Sequence, residues 1–461
     1  MHVFRYSNPE FNPYGDDVPT DATAPGPWRA PTATGPLSAS LQLPGSKSLT
    51  NRELVLAAIA DGPSTLRWPL HSRDSALMVQ ALKALGTQID EVDGDGAYGP
   101  NLRITPAEEM QGGVSIDCGL AGTVMRFMPP LAALALGPVS FDGDEHARKR
   151  PMRPVLNALR DLGVDVNDDG RGALPFSLYG MGTVDGGELA IDASASSQFV
   201  SGLLLAAPRF THGLTLRHTG ERLPSLPHIE MTLHCLRARG ISAASPEPGV
   251  WVVEPGPIAA LDLTIEPDLS NAAPFLAAAL VAGGTVTIQG WPDATTQVGA
   301  DLEHLLPQFG ASVTRNGDDL TIDGGAGLVG GKPIRAVDLD LSTGGELAPA
   351  LVALAALADG RSSITGIGHL RGHETDRLAA LTAEINALGG RVTELDDGLV
   401  IEPQPLRGGL WHAYADHRMA TAGAIIGLAV DGVDIDDIAS TGKTLPQFPE
   451  LWRGLRESPL P

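Results

Sequence analysis

Six cations stand out in this chain because of where they fall. Lys47, Arg52, Arg150, Arg377, Arg418 and Lys443 lie in short loops reading PGSKSLTNR, ARKRP, LRGHETDR, ADHR and STGKT, each beside a helix-like run. Exposed backbone N–H groups and the positive end of a helix dipole make such loops receptive to anions. The chain as a whole carries 55 acidic against 32 basic residues, a formal net charge of −23. That charge repels nucleic acid and anionic membranes, so an anionic ligand has to be held by a local concentration of Lys and Arg. Six cations gathered into one cleft would form a polyanion site. Their hydroxyl and amide neighbours Ser48, Ser196, Ser197, Gln198 and Ser225 suit a phosphorylated polyol or ring.

Two carboxylates, Glu346 and Glu374, occupy loops beside these cations, where they can be poised for proton transfer. The same positions also suit acidic residues that simply favour a helix N-terminus. His373 and His417 fit either proton transfer or an ordinary polar loop. H-E-x-x-H, clustered Cys and His, and a G-x-S-x-G elbow are all absent, which removes the usual cues for zinc hydrolysis and serine nucleophiles. PGSKS is not a Walker A motif, because Ser46 separates Gly45 from Lys47 and Ser40 takes the place of the earlier glycine. The G-x-G-x-x-G at Gly94 to Gly99 opens no helix and reads as a hairpin turn. No metal and no organic cofactor is expected.

The elements that must position these residues repeat. Gly62, Gly137, Gly213, Gly284, Gly360 and Gly432 each follow an apolar helix-like run and precede a strand-like run, about 70–77 residues apart. The runs, such as RFMPPLAALALG and NAAPFLAAALVAGG, are built of small and apolar residues that allow close helix packing. Five units continue through a second helix to a glycine C-cap at Gly86, Gly163, Gly240, Gly310 and Gly389; the sixth is cut short at LPQFPELWRGL. The candidate loops fall at equivalent places in these units. An α/β protein of two pseudo-threefold domains follows.

At 461 residues and 43% hydrophobic, the chain is long enough for two cores. Residues 1–36, rich in Pro, Gly and Asp, read as a flexible leader without signal-peptide or transit character. No uncharged apolar stretch reaches membrane-spanning length. Cys118 and Cys235 stand far apart without a C-x-x-C partner, which favours a reducing cytoplasm over a disulfide framework.

Taken in order, LPGSKSLTNR, GLAGTVMR, ARKRPM, SASSQF, RGHETDRL, YADHRMA and GKTLPQF resemble the signature segments of the 5-enolpyruvylshikimate-3-phosphate synthases, from about Leu41 to Phe448. The resemblance implies two inside-out α/β domains, each of three βαβαββ units, closing over substrates. It places residues 46–265 in the N-terminal domain and residues 37–45 with 266–461 in the C-terminal one. Shikimate 3-phosphate would meet Lys47, Ser48, Arg52, Ser196, Ser197, Gln198, Ser225, Glu346 and His373. Phosphoenolpyruvate would meet Lys47, Gly122, Arg150, Gln198, Arg377, Arg418 and Lys443. The implied reaction is addition and elimination: the 5-hydroxyl attacks C2 of phosphoenolpyruvate as C3 is protonated, then phosphate leaves as that proton is removed. Glu346 would take the hydroxyl proton, with Glu374 or Lys47 serving C3. A monomer sensitive to glyphosate is expected.

The sequence departs from many members of that family at Glu346 (Asp), His373 (Lys), Leu120 (Asn) and Phe127 (Pro). One alternative is the sister transferase acting on UDP-N-acetylglucosamine, which commonly carries a cysteine in its mobile loop; Gly143 to Pro151 contains none. Another is a non-catalytic anion-binding protein, disfavoured by the two candidate proton-transfer carboxylates.

Overall fold

The computed structural model describes residues 26–94 and 96–455. Each repeat builds its own small sheet. In the second unit, Val114–Asp117 runs parallel to Leu136–Asp142, which pairs antiparallel with Phe176–Met181, whose other edge takes Asp165–Asn167. Four other units repeat this order. The truncated sixth keeps the parallel pair, Gly409–Trp411 with Val433–Ile435, and borrows its third strand from Trp28–Arg29.

The helix that leads into the second strand of each parallel pair lies inside, and its sequence explains why. All 11 residues of Gly122–Ala132 and all 14 of Leu269–Ala282 are buried. A helix with no polar face has nothing to offer water and goes to the centre of a bundle. Lys47–Ala58, Gly122–Ala132 and Gln198–Ala206 pack together in one half. Leu269–Ala282, Ala348–Ala356 and His417–Ala429 do so in the other. The second helices are amphipathic and lie nearer the surface; Arg153–Asp161 buries Val155, Leu156, Ala158 and Leu159 and turns its charges outward. Their glycine caps all take positive φ, between 82° and 108°, the left-handed conformation a helix C-terminus favours. These are two inside-out α/β bundles, each with its own apolar core, two domains as the repeats led us to expect and inside-out as the family resemblance implied.

The chain crosses between the halves twice. Leu37–Leu41 runs parallel to Gly284–Ile288 in the second half, while Asp262–Thr264 runs parallel to Ser64–Arg67 in the first. The crossing segments touch: Ser46 N donates to Glu266 O at 2.7 Å and Asp268 N to Pro44 O at 2.9 Å. Gly45 is required there, because a Cβ would lie 2.3 Å from Trp68 O.

The expectation of a flexible leader through residue 36 needs correction. Trp28–Arg29 is a strand against Val433–Ile435, Arg29 pairs with Asp434, and Ala30 and Ala33 are buried in the second core. Small residues here fit beside the tightly packed helix His417–Ala429, where Ala33 N donates to Leu428 O. Composition alone hid this edge strand. Residues 1–25, the rest of that expectation, lie outside the described residues. The glycine-rich segment after Gln88–Val92 does connect an antiparallel pair with Asn101–Thr105, as a hairpin turn would, although Asp95 is outside the described residues.

Candidate active site

The starts of all six inner helices converge on one cleft between the halves. Lys47 and Ser48, Gly122 and Thr123, and Ser196 to Gln198 come from the first half; Asp268, Ser270 and Asn271, then Glu346, then His417 and Arg418 come from the second. The pseudo-threefold arrangement thus delivers six helix N-termini, with their positive dipole ends, to one place. The cavity is about 90 Å³, room for a handful of waters. A ligand larger than that needs the halves to part.

First-half groups leave much of their hydrogen-bonding capacity unused. Lys47 Nζ is 3.5 Å from the buried Asp74. Arg150 donates to Leu120 O at 3.2 Å, but its Nε has no partner. Gln198 Oε1 is likewise buried and unpartnered. Gly122 lies among these groups: a Cβ there would stand 3.0 Å from both Arg150 Nη2 and Gln198 Oε1. Leu120 acts through its carbonyl, so the side chain that departs from the family pattern leaves this contact intact.

Two second-half cations, Arg377 and Lys443, are held by acids. Arg377 donates Nε to Asp416 Oδ2 at 2.8 Å and Nη2 to Glu374 Oε2 at 3.0 Å, all three groups being buried. Arg418 reaches Ser270 Oγ at 3.1 Å. Lys443 stands behind the cavity wall, bonded to Glu374 and, at 3.2 Å, to Leu120 O across the cleft. Burial pushes the Glu374 carboxyl up, but Lys443, Arg377 and Arg150 outweigh it and hold the group well below the usual carboxylate range. Burial also works to raise Glu346, which His228, Arg418 and Lys47 pull far down. Burial, with Arg418 and Lys47 nearby, keeps His417 well below the ordinary histidine value; both its ring nitrogens are unpartnered. His373 is lowered in the same direction by burial and Arg377.

Other contacts between the halves pin the cleft shut. Lys47 N donates to Asp268 Oδ2 at 3.0 Å, His228 Nε2 lies 2.9 Å from Glu346 Oε2, and Ser225 N, on a residue with φ of 54°, reaches Ser342 O at 3.4 Å.

Lys47, Ser48, Gly122, Arg150, Ser196, Ser197, Gln198, Ser225, Glu346, His373, Glu374, Arg377 and Arg418 all line the cavity. Arg52 does not. It is buried beneath the wall, with Nε on Thr232 Oγ1 at 2.8 Å and its Nη groups on Ser48 O, His228 O and Ser201 Oγ; burial brings its pKa down to about 10. The expected substrate contact is corrected to a support for Ser48 and His228. Its place one turn into the helix carries it below the surface that Ser48 occupies.

Sequence reasoning missed Asp74, Arg126, His228, Asp268, Ser270, Asn271 and His369. The repeat itself held the signal for three of them, since Asp268, Ser270 and Asn271 form the fourth unit's counterpart of PGSKS. Arg126 lies within GLAGTVMR, buried with its Nη1 3.2 Å from where a Gly122 Cβ would be.

Against known protein families, residues 31–452 match the model for EPSP synthase (3-phosphoshikimate 1-carboxyvinyltransferase). The chain belongs to the EPSP synthase family. A 3-phosphoshikimate 1-carboxyvinyltransferase of Kocuria rhizophila is 58% identical over 433 residues, 93% of this chain and 96% of that protein. Among solved structures, an EPSP synthase from Acinetobacter baumannii covers 93% of this chain and 97% of its own with a TM-score of 0.75 at 23% identity. The enolpyruvyl transferase NikO from Streptomyces tendae gives 0.71 at 19% identity, over 92% and 96%. These two likenesses concern the fold: the helix starts of an EPSP synthase family member meet in one cleft.

Proposed function

We propose that this chain transfers the enolpyruvyl group of phosphoenolpyruvate to the 5-hydroxyl of shikimate 3-phosphate, releasing phosphate, in the cleft between its halves. The observation that carries this reading is the convergence of Lys47, Arg150 and Gln198 from one half with Glu346, Glu374, Arg377 and Arg418 from the other on a single cavity. The two apolar cores support domains of residues 46–265 and, among the described residues, of 28–45 with 266–455. Among the described residues no helix is long and apolar enough to cross a membrane, and both cysteines are free and buried. These facts support the reading of a cytoplasmic enzyme, which we take to be a monomer.

Shikimate 3-phosphate sits against Ser48, Ser196, Ser197, Gln198 and Ser225, whose hydroxyl and amide groups match its phosphate and ring oxygens. Glu346 and His373 complete that subsite. Phosphoenolpyruvate occupies Lys47, Gly122, Arg150, Gln198, Arg377 and Arg418, where guanidinium forks suit its carboxylate and phosphate, while Lys443, bonded to Glu374 behind the wall, adds its charge from there. The 5-hydroxyl oxygen bonds to C2 while its proton passes to Glu346 and a proton is delivered to C3. The added proton then leaves C3, the C2–O bond to phosphate breaks, and the cations take up the developing charge. Glu374 is ionised while Lys443 and Arg377 serve it alone. A substrate anion that engages those cations raises its proton affinity, which makes Glu374 a donor only in the loaded site, with Lys47 beside it as the other candidate.

The test is phosphate release by Glu346→Gln. Loss of the acceptor oxygen is expected to lower kcat by on the order of 100-fold or more with little change in either KM. Turnover at the wild-type rate would remove Glu346 from the chemistry.

A further inference from the structure

Glu346 is anchored from the opposite half of the molecule. It sits in the short turn Gly345–Leu347, on a long side chain whose one hydrogen bond among the described residues is to His228 Nε2, at 2.9 Å. His228 belongs to the helix Leu226–Ala238 of the first half. Its backbone is fixed: its carbonyl accepts from Arg52 Nη2 at 2.9 Å and Thr232 Oγ1 at 3.0 Å, and its N–H donates to Ser225 O at 3.0 Å. Arg52, buried and bonded internally, thus holds the residue that holds Glu346.

We propose that His228 is a positioning residue for Glu346, and that it orients this carboxylate only when the two halves close. The inference rests on the reading of Glu346 as acceptor of the hydroxyl proton. With Oε2 engaged by His228, Oε1 is the oxygen left to face the hydroxyl. A free glutamate side chain samples several rotamers and gives up that freedom when bound; here the constraint arrives with closure. The acceptor is therefore assembled in the same motion that expels water, and an open enzyme holds no oriented base. The groups facing the pair are Lys47 and Arg52 from the first half and Arg418, Arg377 and His369 from the second. Burial works to raise the Glu346 carboxyl, and His228 stands first among the neighbours that lower it. Loss of the imidazole leaves Lys47 and Arg418 to do this without it.

The experiment is steady-state phosphate release against pH for the wild type, His228→Ala, His228→Gln, Glu346→Gln and the double variant His228→Ala/Glu346→Gln. His228→Ala is expected to lose roughly tenfold or more in kcat, with both KM values within about twofold of the wild type. Its acid limb should move to higher pH, because Glu346 then protonates more readily. His228→Gln, whose amide N–H still donates, should recover part of kcat without restoring the limb. On the residual turnover of Glu346→Gln, His228→Ala should add nothing, since the two act as one unit. Multiplying losses with an unmoved acid limb would overturn the proposal and make His228 an independent contact. A poorly active Glu346→Gln beside a His228→Ala like the wild type would overturn the proposal alone. A fully active Glu346→Gln would overturn both it and the reading beneath it.

Discussion

The two halves share a fold but meet the cleft with different electrostatics. On the first half, Arg150 Nε, Arg126 Nε and Gln198 Oε1 are buried without partners. On the second, Asp416 and Glu374 clamp Arg377, and Glu374 also holds Lys443. Unpaired buried groups are costly until a ligand satisfies them, whereas paired ones are already part of the folded framework. The first half thus offers open valences on Arg150 and Gln198 to an anion, and the second, although the His417 ring is also unpartnered, supplies Arg377 and Lys443 as a preorganised charge array. Substitutions in the first should chiefly cost function; in the second they should cost stability as well.

The largest effect should follow from Lys47→Met, which removes a cation assigned to both substrates. Turnover is expected to fall by about a thousandfold or more, with stability down by only about 1–3 kcal/mol because Asp74 loses its partner. Near-normal activity would break the first half's side of the comparison.

A direct contrast comes next. Asp416→Ala leaves the buried Arg377 guanidinium to Glu374 alone and should cost about 3–5 kcal/mol. Arg150→Ala, whose side chain makes one hydrogen bond among the described residues, to Leu120 O, should cost about 1 kcal/mol or less while raising KM for phosphoenolpyruvate. Urea unfolding of the two variants measures the difference, and equal losses would erase the distinction between the halves.

Gly122→Ala sharpens it at a single atom. The added methyl meets Arg150 Nη2 and Gln198 Oε1 at 3.0 Å and Arg126 Nη1 at 3.2 Å, so these groups must give way by a few tenths of an ångström. Competitive inhibition by glyphosate against phosphoenolpyruvate should weaken by roughly tenfold or more, and KM for phosphoenolpyruvate should rise less. An unchanged inhibition constant would show that the inhibitor lies elsewhere.

The smallest effect is a slope in stability with pH. His417 is neutral in the fold because burial and its cationic neighbours lower its pKa. In the unfolded chain it takes up a proton below about pH 6.5. Unfolding therefore binds a proton in that range, and stability, full above about 6.5, should fall by up to about 1.4 kcal/mol per pH unit as pH drops below it. His417→Asn should flatten this part of the urea-midpoint curve between about pH 7 and about pH 5; an identical slope would mean that His417 is not held neutral.

Much of this architecture was legible in the sequence, because the repeat left periodic marks. Apolar small-residue helices told of close packing in a core, and glycines at constant spacing told of repeated units and helix caps. The loops carrying Lys47, Arg150, Arg377 and Arg418 could be aligned by that period. What escaped was local and three-dimensional. Arg52 looked like its loop neighbours, yet one helical turn carried it under the wall. Trp28–Arg29 pairs with a strand more than 400 positions away, a contact no local pattern encodes. His228 lay in a motif without an obvious partner, because Glu346 comes from the other half.

The central claim is that the cleft joins two small anions, and the direct measurement is phosphate release by the wild-type chain. It should be followed with shikimate 3-phosphate and phosphoenolpyruvate together and with each alone, and the organic product weighed by mass spectrometry. The account predicts stoichiometric phosphate only when both are present, with a product heavier than shikimate 3-phosphate by one enolpyruvyl group. Phosphate released from phosphoenolpyruvate alone, or none from the complete mixture, would contradict it.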